Sequence, residues 1–427
     1  MDIHLLSQDT IMNATVVISF ILFAFLSFQF MTLIVSLIKK RPRRKAPRNF
    51  FPEVSILIPA YNEEENIRDC LESVMDSDYE KSKMEIIVVD DQSTDKTAEI
   101  VESIRQENKD FDIRVIRGKH QGKPSSLNLG MRHAKNDLIM TIDADVMIRK
   151  NTIKKLINPM WDSNVAATNS VAVIRNPKRF IEYFQMIEFS LNNLIRTTFS
   201  KVFDNSIWFF GAVAIYRRDI LEDIGNFKND TLTEDMDICL EMYDRDYNII
   251  TVEDAMISTK ACPNVKELFK QRMRWYFGAL QSLFKNKKLL EKKISPSIAF
   301  LFFNQIWWTI FSFVFFPMTI YQIYFWFPSG TVEASFYIFR WFSLAGPVFV
   351  LYKIPEWGLN ILNIFGVMSG IVTLLMSSNA IIRFKAIINL KTLIAIFFYF
   401  PYTILINLIL VSGIFKYAFS KKRYFID

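Results

Sequence analysis

The chain has 427 residues, 51% of them hydrophobic, and carries 51 Lys and Arg against 44 Asp and Glu, for a formal net charge of +7. That length is more than one compact domain of ordinary size needs, and the apolar residues gather at the two ends, which excludes a wholly soluble chain. The 3 cysteines (Cys70, Cys239, Cys262) and 3 histidines (His4, His120, His133) are too scattered for a disulfide framework, a zinc cluster or a triad.

Residues 14–38 form an uncharged apolar run of about bilayer-spanning length. No positive residue precedes it and it exceeds an h-region, so a membrane helix is expected rather than a signal peptide. Lys39, Lys40, Arg41, Arg43, Arg44, Lys45 and Arg48 follow directly. Alone, such a cluster suits nucleic acid. Beside a span it marks the cytoplasmic side and meets anionic headgroups. The expectation is a plasma-membrane protein with its N-terminus outside, its central part cytoplasmic, membrane lipids as partners and no nucleic acid.

The central part alternates strand and helix patterns. Residues 54–58 read as a buried strand ended by Pro59, 64–75 as a helix with Ile67, Leu71 and Val74 on one face, and 85–89 as a β-branched strand. A helix over 97–108, a strand over 113–116, a helix over 125–134 and a strand over 138–142 follow. This order predicts an α/β domain with a mainly parallel sheet covered on both faces.

Ligands of such sheets sit beyond the carboxyl ends of the strands. Pro59-Ala60-Tyr61-Asn62-Glu63 follows the first strand, Asp90 and Asp91 end the second, and Asp143-Ala144-Asp145 ends the fourth. Aspartates also favour turns and helix caps, but two acidic pairs at one crevice edge favour a site. The chain has no glycine-rich phosphate loop of the GxGxxG or GxxxxGK[ST] kind. A diphosphate beside these carboxylates therefore needs a divalent cation, Mg²⁺ or Mn²⁺, with Asp143 and Asp145 as hard oxygen ligands. Lys123 either adds positive charge there or is simply solvated.

Further on, residues 177–203 carry an apolar stripe at helical spacing, which fits a packed or an interfacial helix, and Trp208 to Val213 suits a pocket wall. Thr233-Glu234-Asp235 opens a helix. Capping accounts for it structurally, and an acid on a fixed mount that takes a proton from a hydroxyl accounts for it chemically. Residues 264–290 have helical periodicity, which puts Gln271, Arg274 and Trp275 on one side. Arg274 suits a leaving diphosphate and Trp275 a sugar ring, while an amphipathic membrane-surface helix is the structural alternative. Four apolar segments near 297–327, 335–352, 358–377 and 392–415 are expected to cross the membrane, with Arg340 interrupting the second and Lys421-Lys422-Arg423 ending inside.

Taken together and in order, these motifs resemble the inverting, membrane-embedded family 2 glycosyltransferases, which include cellulose, hyaluronan, chitin and poly-N-acetylglucosamine synthases. The resemblance covers residues from about Val54 to Gly278 and, in outline, the flanking segments. It implies a GT-A-like (Rossmann-like) domain with amphipathic interface helices and transmembrane helices. It places Asp90 or Asp91 at the nucleotide base, Asp143 and Asp145 at metal and diphosphate, Asp235 as general base, and Gln271, Arg274 and Trp275 at the acceptor. Tyr61, Glu63, Lys123, Glu234 and Arg272 are expected as further substrate contacts. The stretch from Asp230 to Asp235 is most similar to the poly-N-acetylglucosamine and cellulose branches, which disfavours a hyaluronan-like product.

The expected organisation is an anchor and basic segment over 1–50, the catalytic domain over 51–262, an interfacial helix over 263–293 and membrane helices over 294–427, without an appended regulatory domain. The implied function is processive extension of a β-linked polysaccharide from UDP-N-acetylglucosamine or UDP-glucose. The alternatives are transfer of one sugar to a membrane lipid, and a non-catalytic partner with a degenerate domain.

Overall fold

A computed structural model describes residues 8–39, 46–47, 49–291, 295–326, 346–359 and 361–419. The basic residues 40–45 and Arg48, residues 335–345 of one expected membrane segment, and the Lys421-Lys422-Arg423 tail lie outside the described residues.

The core is an eight-stranded sheet of β1 (Val54–Ala60), β2 (Met84–Asp90), β3 (Asp112–Arg117), β4 (Leu138–Ile142), β5 (Met147–Ile148), β6 (Val165–Ile174), β7 (Val213–Arg217) and β8 (Asn248–Thr259). Its order is β3-β2-β1-β4-β7-β6-β8-β5. The first four strands in that order run parallel, as expected. Every residue of β2 is buried, the signature of a strand covered on both faces. Alternate residues serve opposite layers: Leu57, Ile87 and Ile139 belong to one core, and Ile56, Ile86 and Met140 to the other.

The sheet is nevertheless mixed. β7 runs antiparallel between β4 and β6. That reversal matters, because the start of β7 then lies at the same edge as the ends of β1, β2 and β4. Ala60 pairs with Asp90, and Ile142 with Val213. The loops after β1, β2 and β4 and the loop before β7 therefore open on one crevice.

Seven helices complete the domain: α2 (Ile67–Met75), α3 (Thr97–Glu107), α4 (Lys123–His133), α5 (Thr152–Ile157), α6 (Phe180–Phe203), α7 (Arg218–Asp223) and α8 (Glu234–Asp244). α6 is far more buried than a stripe requires. Gln185, Ser190, Asn193, Arg196, Thr197, Thr198 and Ser200 are all inside. α9 (Val265–Lys285) is capped by Asn264, whose side chain accepts from the Glu267 N–H at 3.0 Å.

N-terminal to the sheet stands α1 (Gln8–Ile38); after α9 come α10 (Pro296–Trp326), α11 (Gly346–Trp357), α12 (Ile361–Arg383), α13 (Leu390–Phe397) and α14 (Tyr399–Phe419). Among the described residues, two helices are long and apolar enough to cross a membrane, Val16–Ile38 and Ile364–Arg383. The segment expected at 392–415 is not one straight helix. Leu390–Phe397 and Pro401–Lys416 meet at 62°. Pro401 explains the break, since its ring and missing N–H disrupt a helix just upstream. The segment expected at 358–377 instead runs on to Arg383, which pairs with Glu253 of β8 through two hydrogen bonds.

Three contacts orient the helices. Lys39 Nζ donates to the Val202 carbonyl at 2.8 Å, Ser297 Oγ to the Asn205 carbonyl at 2.9 Å, and Arg383 meets Glu253. The C-terminal ends of α1 and α12 and the N-terminal end of α10 thus all face the sheet domain.

Candidate active site

Asp90 and Asp91 are both buried at the end of β2. Asp90 accepts from the Ser93 N–H at 3.2 Å, and Asp91 from the N–H groups of Gly122 at 3.0 Å and Gln121 at 3.4 Å. Asp91 thereby fixes the loop that leads into α4. Tyr61, exposed, lies against His120 with ring centroids 4.5 Å apart, and a His120 ring nitrogen sits 3.2 Å from the Asp91 carbonyl. Two flat rings thus border the pair of acids. His120 was not expected among the site residues, since a lone histidine carries no signal until the fold brings it beside Tyr61.

At the end of β4, the Asp143 N–H donates to the Ala212 carbonyl at 2.8 Å, tying the acidic turn to the start of β7. Burial raises the proton affinity of both Asp143 and Asp145; Glu63 adds to that rise at Asp145, and Asp145 adds to it at Asp143. Glu63 is raised as well, by burial and then by its acidic neighbours Asp143 and Asp95. Lys123 counters this surplus of negative charge. Its ammonium lies 2.7 Å from Asp143 and 3.0 Å from Glu234. Burial opposes the charge on Lys123, yet Asp143, Glu234 and Asp235 together hold it protonated above the usual lysine range. Lys123 starts α4 rather than preceding it, two residues earlier than the expected helix, and so points from a fixed first turn.

Glu234 and Asp235 open α8 side by side but differ in environment. Burial opposes the charge of Glu234, but Lys123 overrides this and lowers its pKa. Burial and the Glu234 charge push Asp235 up to about 6. Asp235 accepts from the backbone N–H groups of Gly211 and Met236, each at 2.8 Å. Two adjacent carboxyls with pKa values driven apart are the arrangement that separates an acid–base residue from an electrostatic one. Thr233 is the N-cap residue by position, but its side chain makes no capping bond; its hydroxyl lies 3.3 Å from Ser282 of α9. A Cβ at Gly278 would meet the Thr233 side chain at 2.5 Å, so α8 and α9 approach through that glycine.

On α9, Arg274 is exposed and its charge reaches Glu234. Trp275 is half-buried, 6.2 Å from the Phe189 ring, which is itself edge-on to Phe210 at 6.3 Å. This aromatic row ends beside Gly211 and hence beside Asp235. Gln271 accepts from Arg272 Nη1 at 2.6 Å. Arg272 departs from the expectation of a substrate contact: it is 5% exposed and faces inward, to Glu188 of α6 at 2.6 Å and Tyr402 of α14 at 3.4 Å. Phe189, Glu188 and Tyr402 had no signal in the sequence, being anonymous members of apolar helices. Among the described residues, no three His, Cys, Asp or Glu form a preassembled metal cage.

Residues 55–225 match the family model described as Glycosyl transferase family 2. The chain is similar to the poly-beta-1,6-N-acetyl-D-glucosamine synthase of Staphylococcus aureus (strain COL), with 30% identity over 59% of this chain and 61% of that one. The synthase of the same description from Staphylococcus epidermidis gives the same values of 30%, 59% and 61%. The chain thus spans 61% of the length of these curated relatives. In structure it resembles a mannosyltransferase from Pyrobaculum calidifontis in complex with GDP-Man and Mn²⁺, with TM-score 0.58 and 18% identity over 96% of this chain and 100% of that one. The family resemblance read from the motifs therefore holds over the central domain, and the fold is GT-A-like.

Proposed function

We propose that the chain is an inverting glycosyltransferase that moves a sugar from a UDP-sugar to a hydroxyl of a growing β-linked polysaccharide. UDP-N-acetylglucosamine is the first donor to consider, because the two synthases just described carry that sugar in their names. We place the domain on the cytoplasmic side of the plasma membrane, where nucleotide sugars are made, with several helices in the bilayer and the chain passing through them as it grows.

The observation that carries this reading is Asp235: a carboxylate held by two backbone N–H groups, with its pKa raised to about 6, on the crevice edge shared by Lys123 and Asp143. In the reaction, the acceptor hydroxyl gives its proton to Asp235 as its oxygen bonds to the anomeric carbon. The bond from that carbon to the diphosphate oxygen breaks on the opposite face, so the configuration inverts and UDP leaves. Asp90, Asp91, Tyr61 and His120 form the edge that suits the nucleotide base. Lys123 and Arg274 supply positive charge to the departing diphosphate. Trp275, with Phe189 and Phe210 behind it, gives the acceptor ring a flat apolar support.

The carboxylates of Asp143 and Asp145, with Glu63 adjacent, form a hard-oxygen set with excess negative charge, which fits a divalent cation completed by diphosphate oxygens. When bound, Mg²⁺ or Mn²⁺ would neutralise charge on the leaving group. The experiment is to measure UDP release from UDP-N-acetylglucosamine by purified protein in lipid and to determine the anomeric configuration of the product by NMR. A β-linked polymer supports the reading; one sugar on a lipid reassigns the acceptor, and retention of configuration excludes the direct displacement.

A further inference from the structure

We infer that Arg272, through Glu188 and Tyr402, is a positioning residue that couples the bent helix pair α13–α14 to the acceptor platform at Trp275. This rests on the reading of Trp275 as the acceptor's support. Arg272 is the hub of a buried cluster from three helices. Its guanidinium lies over the Trp275 indole at 4.4 Å, donates to Gln271 at 2.6 Å, and pairs with Glu188 at 2.6 Å. Tyr402, in the first turn of α14, donates to the same Glu188 oxygen and receives from Arg272 at 3.4 Å. The Phe184 ring stacks on Tyr402 at 5.4 Å and fixes the phenol.

The chemistry indicates positioning rather than an ordinary structural tie. A buried ion pair is a weak source of stability, because desolvation offsets most of the attraction. An arginine that only joined α9 to α6 would not need its planar face. Here the guanidinium carbon sits 4.4 Å from the centre of the indole while two of its nitrogens hold Gln271 and Glu188, so one branched cation touches Trp275 and the Gln271 amide together. A lysine keeps the charge and loses that geometry. Tyr402 is the fourth residue of α14, just after its break from α13, so a change in their bend moves the phenol, then Glu188 and Arg272, and finally the ring.

The test uses the full chain in lipid nanodiscs with UDP-N-acetylglucosamine and a β-1,6-linked N-acetylglucosamine tetramer as acceptor. Acceptor KM, donor KM, hydrolysis of the donor by water and Tm are measured for Arg272→Lys, Tyr402→Phe, the charge swap Arg272→Glu with Glu188→Arg, and Trp275→Ala. Arg272→Lys should raise acceptor KM roughly tenfold, and Tyr402→Phe roughly threefold. Donor KM and hydrolysis should stay at wild-type levels. The swap should recover Tm but not acceptor KM, since no cation then faces the indole. If Trp275→Ala raises acceptor KM while Arg272→Lys and the swap lower only Tm, Arg272 is a structural tie and the inference is wrong. If Trp275→Ala leaves acceptor KM unchanged, the platform reading itself is wrong.

Discussion

The Gly211 N–H donates to the Asp235 carboxylate at 2.8 Å, and a Cβ at Gly211 would stand 2.4 Å from the Asp235 Cβ. No side chain fits between them. Gly211→Ala must therefore displace Asp235, and misplacing a reacting group by about 1 Å costs on the order of 10²-fold. Transfer should fall by about that factor while UDP affinity is retained. Wild-type turnover in this variant would show that Asp235 need not sit where Gly211 holds it.

A pKa of about 6 at Asp235 gives transfer an acidic limb, with the rate falling tenfold per unit below about pH 6 as the base takes up a proton. Asp235→Asn should lower transfer roughly 10²–10⁴-fold and abolish the limb. Stability shows the opposite sign. A carboxyl raised in the folded state keeps a proton that the unfolded chain has already lost, so wild-type stability declines as pH rises from about 4 to about 6. The Asn variant lacks that decline, so its Tm should exceed wild type by a few degrees at pH 7.5 and meet it near pH 4. Equal Tm at both pH values would place Asp235 in a solvated site.

The parallel half of the sheet was legible because β1, β2 and β4 are almost wholly buried and read as short runs dominated by apolar residues. The other half was not. β6 buries Thr168, Asn169 and Ser170 in its middle, and β8 carries Glu253 and Asp254, so neither has the alternation or the continuity that marks a strand. β7 is only five residues long, and only its first residue, Val213, falls in the stretch from Trp208 to Val213 that reads as a pocket wall. The acids of the crevice were legible because each ends a strand or starts a helix. Their supporting residues were hidden, since Glu188 meets Arg272 across 84 positions and Tyr402 across 214, and no local pattern encodes such a meeting.

Asp143 and Asp145 should make donor binding depend on a divalent cation. Excess chelator should abolish UDP release, and Mn²⁺ or Mg²⁺ should restore it. Asp145→Asn should raise donor KM at least roughly tenfold and weaken Mn²⁺ binding measured by calorimetry in the presence of UDP. Full activity in chelator would assign the charge-neutralising role to Lys123 and Arg274 alone.

Lys123 bridges Asp143 and Glu234, so Lys123→Ala removes the charge that lowers the Glu234 pKa and partly offsets the rise at Asp235. Both carboxyls should then hold their protons more strongly. The acidic limb of transfer should move to higher pH, and donor KM should rise as well. A limb that stays in place would mean that Lys123 is not coupled to the base.

The central claim is sugar transfer from a nucleotide donor with inversion. The most direct measurement incubates purified protein in lipid with radiolabelled UDP-N-acetylglucosamine, UDP-glucose and GDP-mannose in parallel, reading nucleotide release, product length and anomeric configuration from the same reactions. The expected result is UDP release from one UDP-sugar with a β-linked polymer that is absent in Asp235→Asn. Release from none of the donors, or a product that forms equally well in Asp235→Asn, would contradict it.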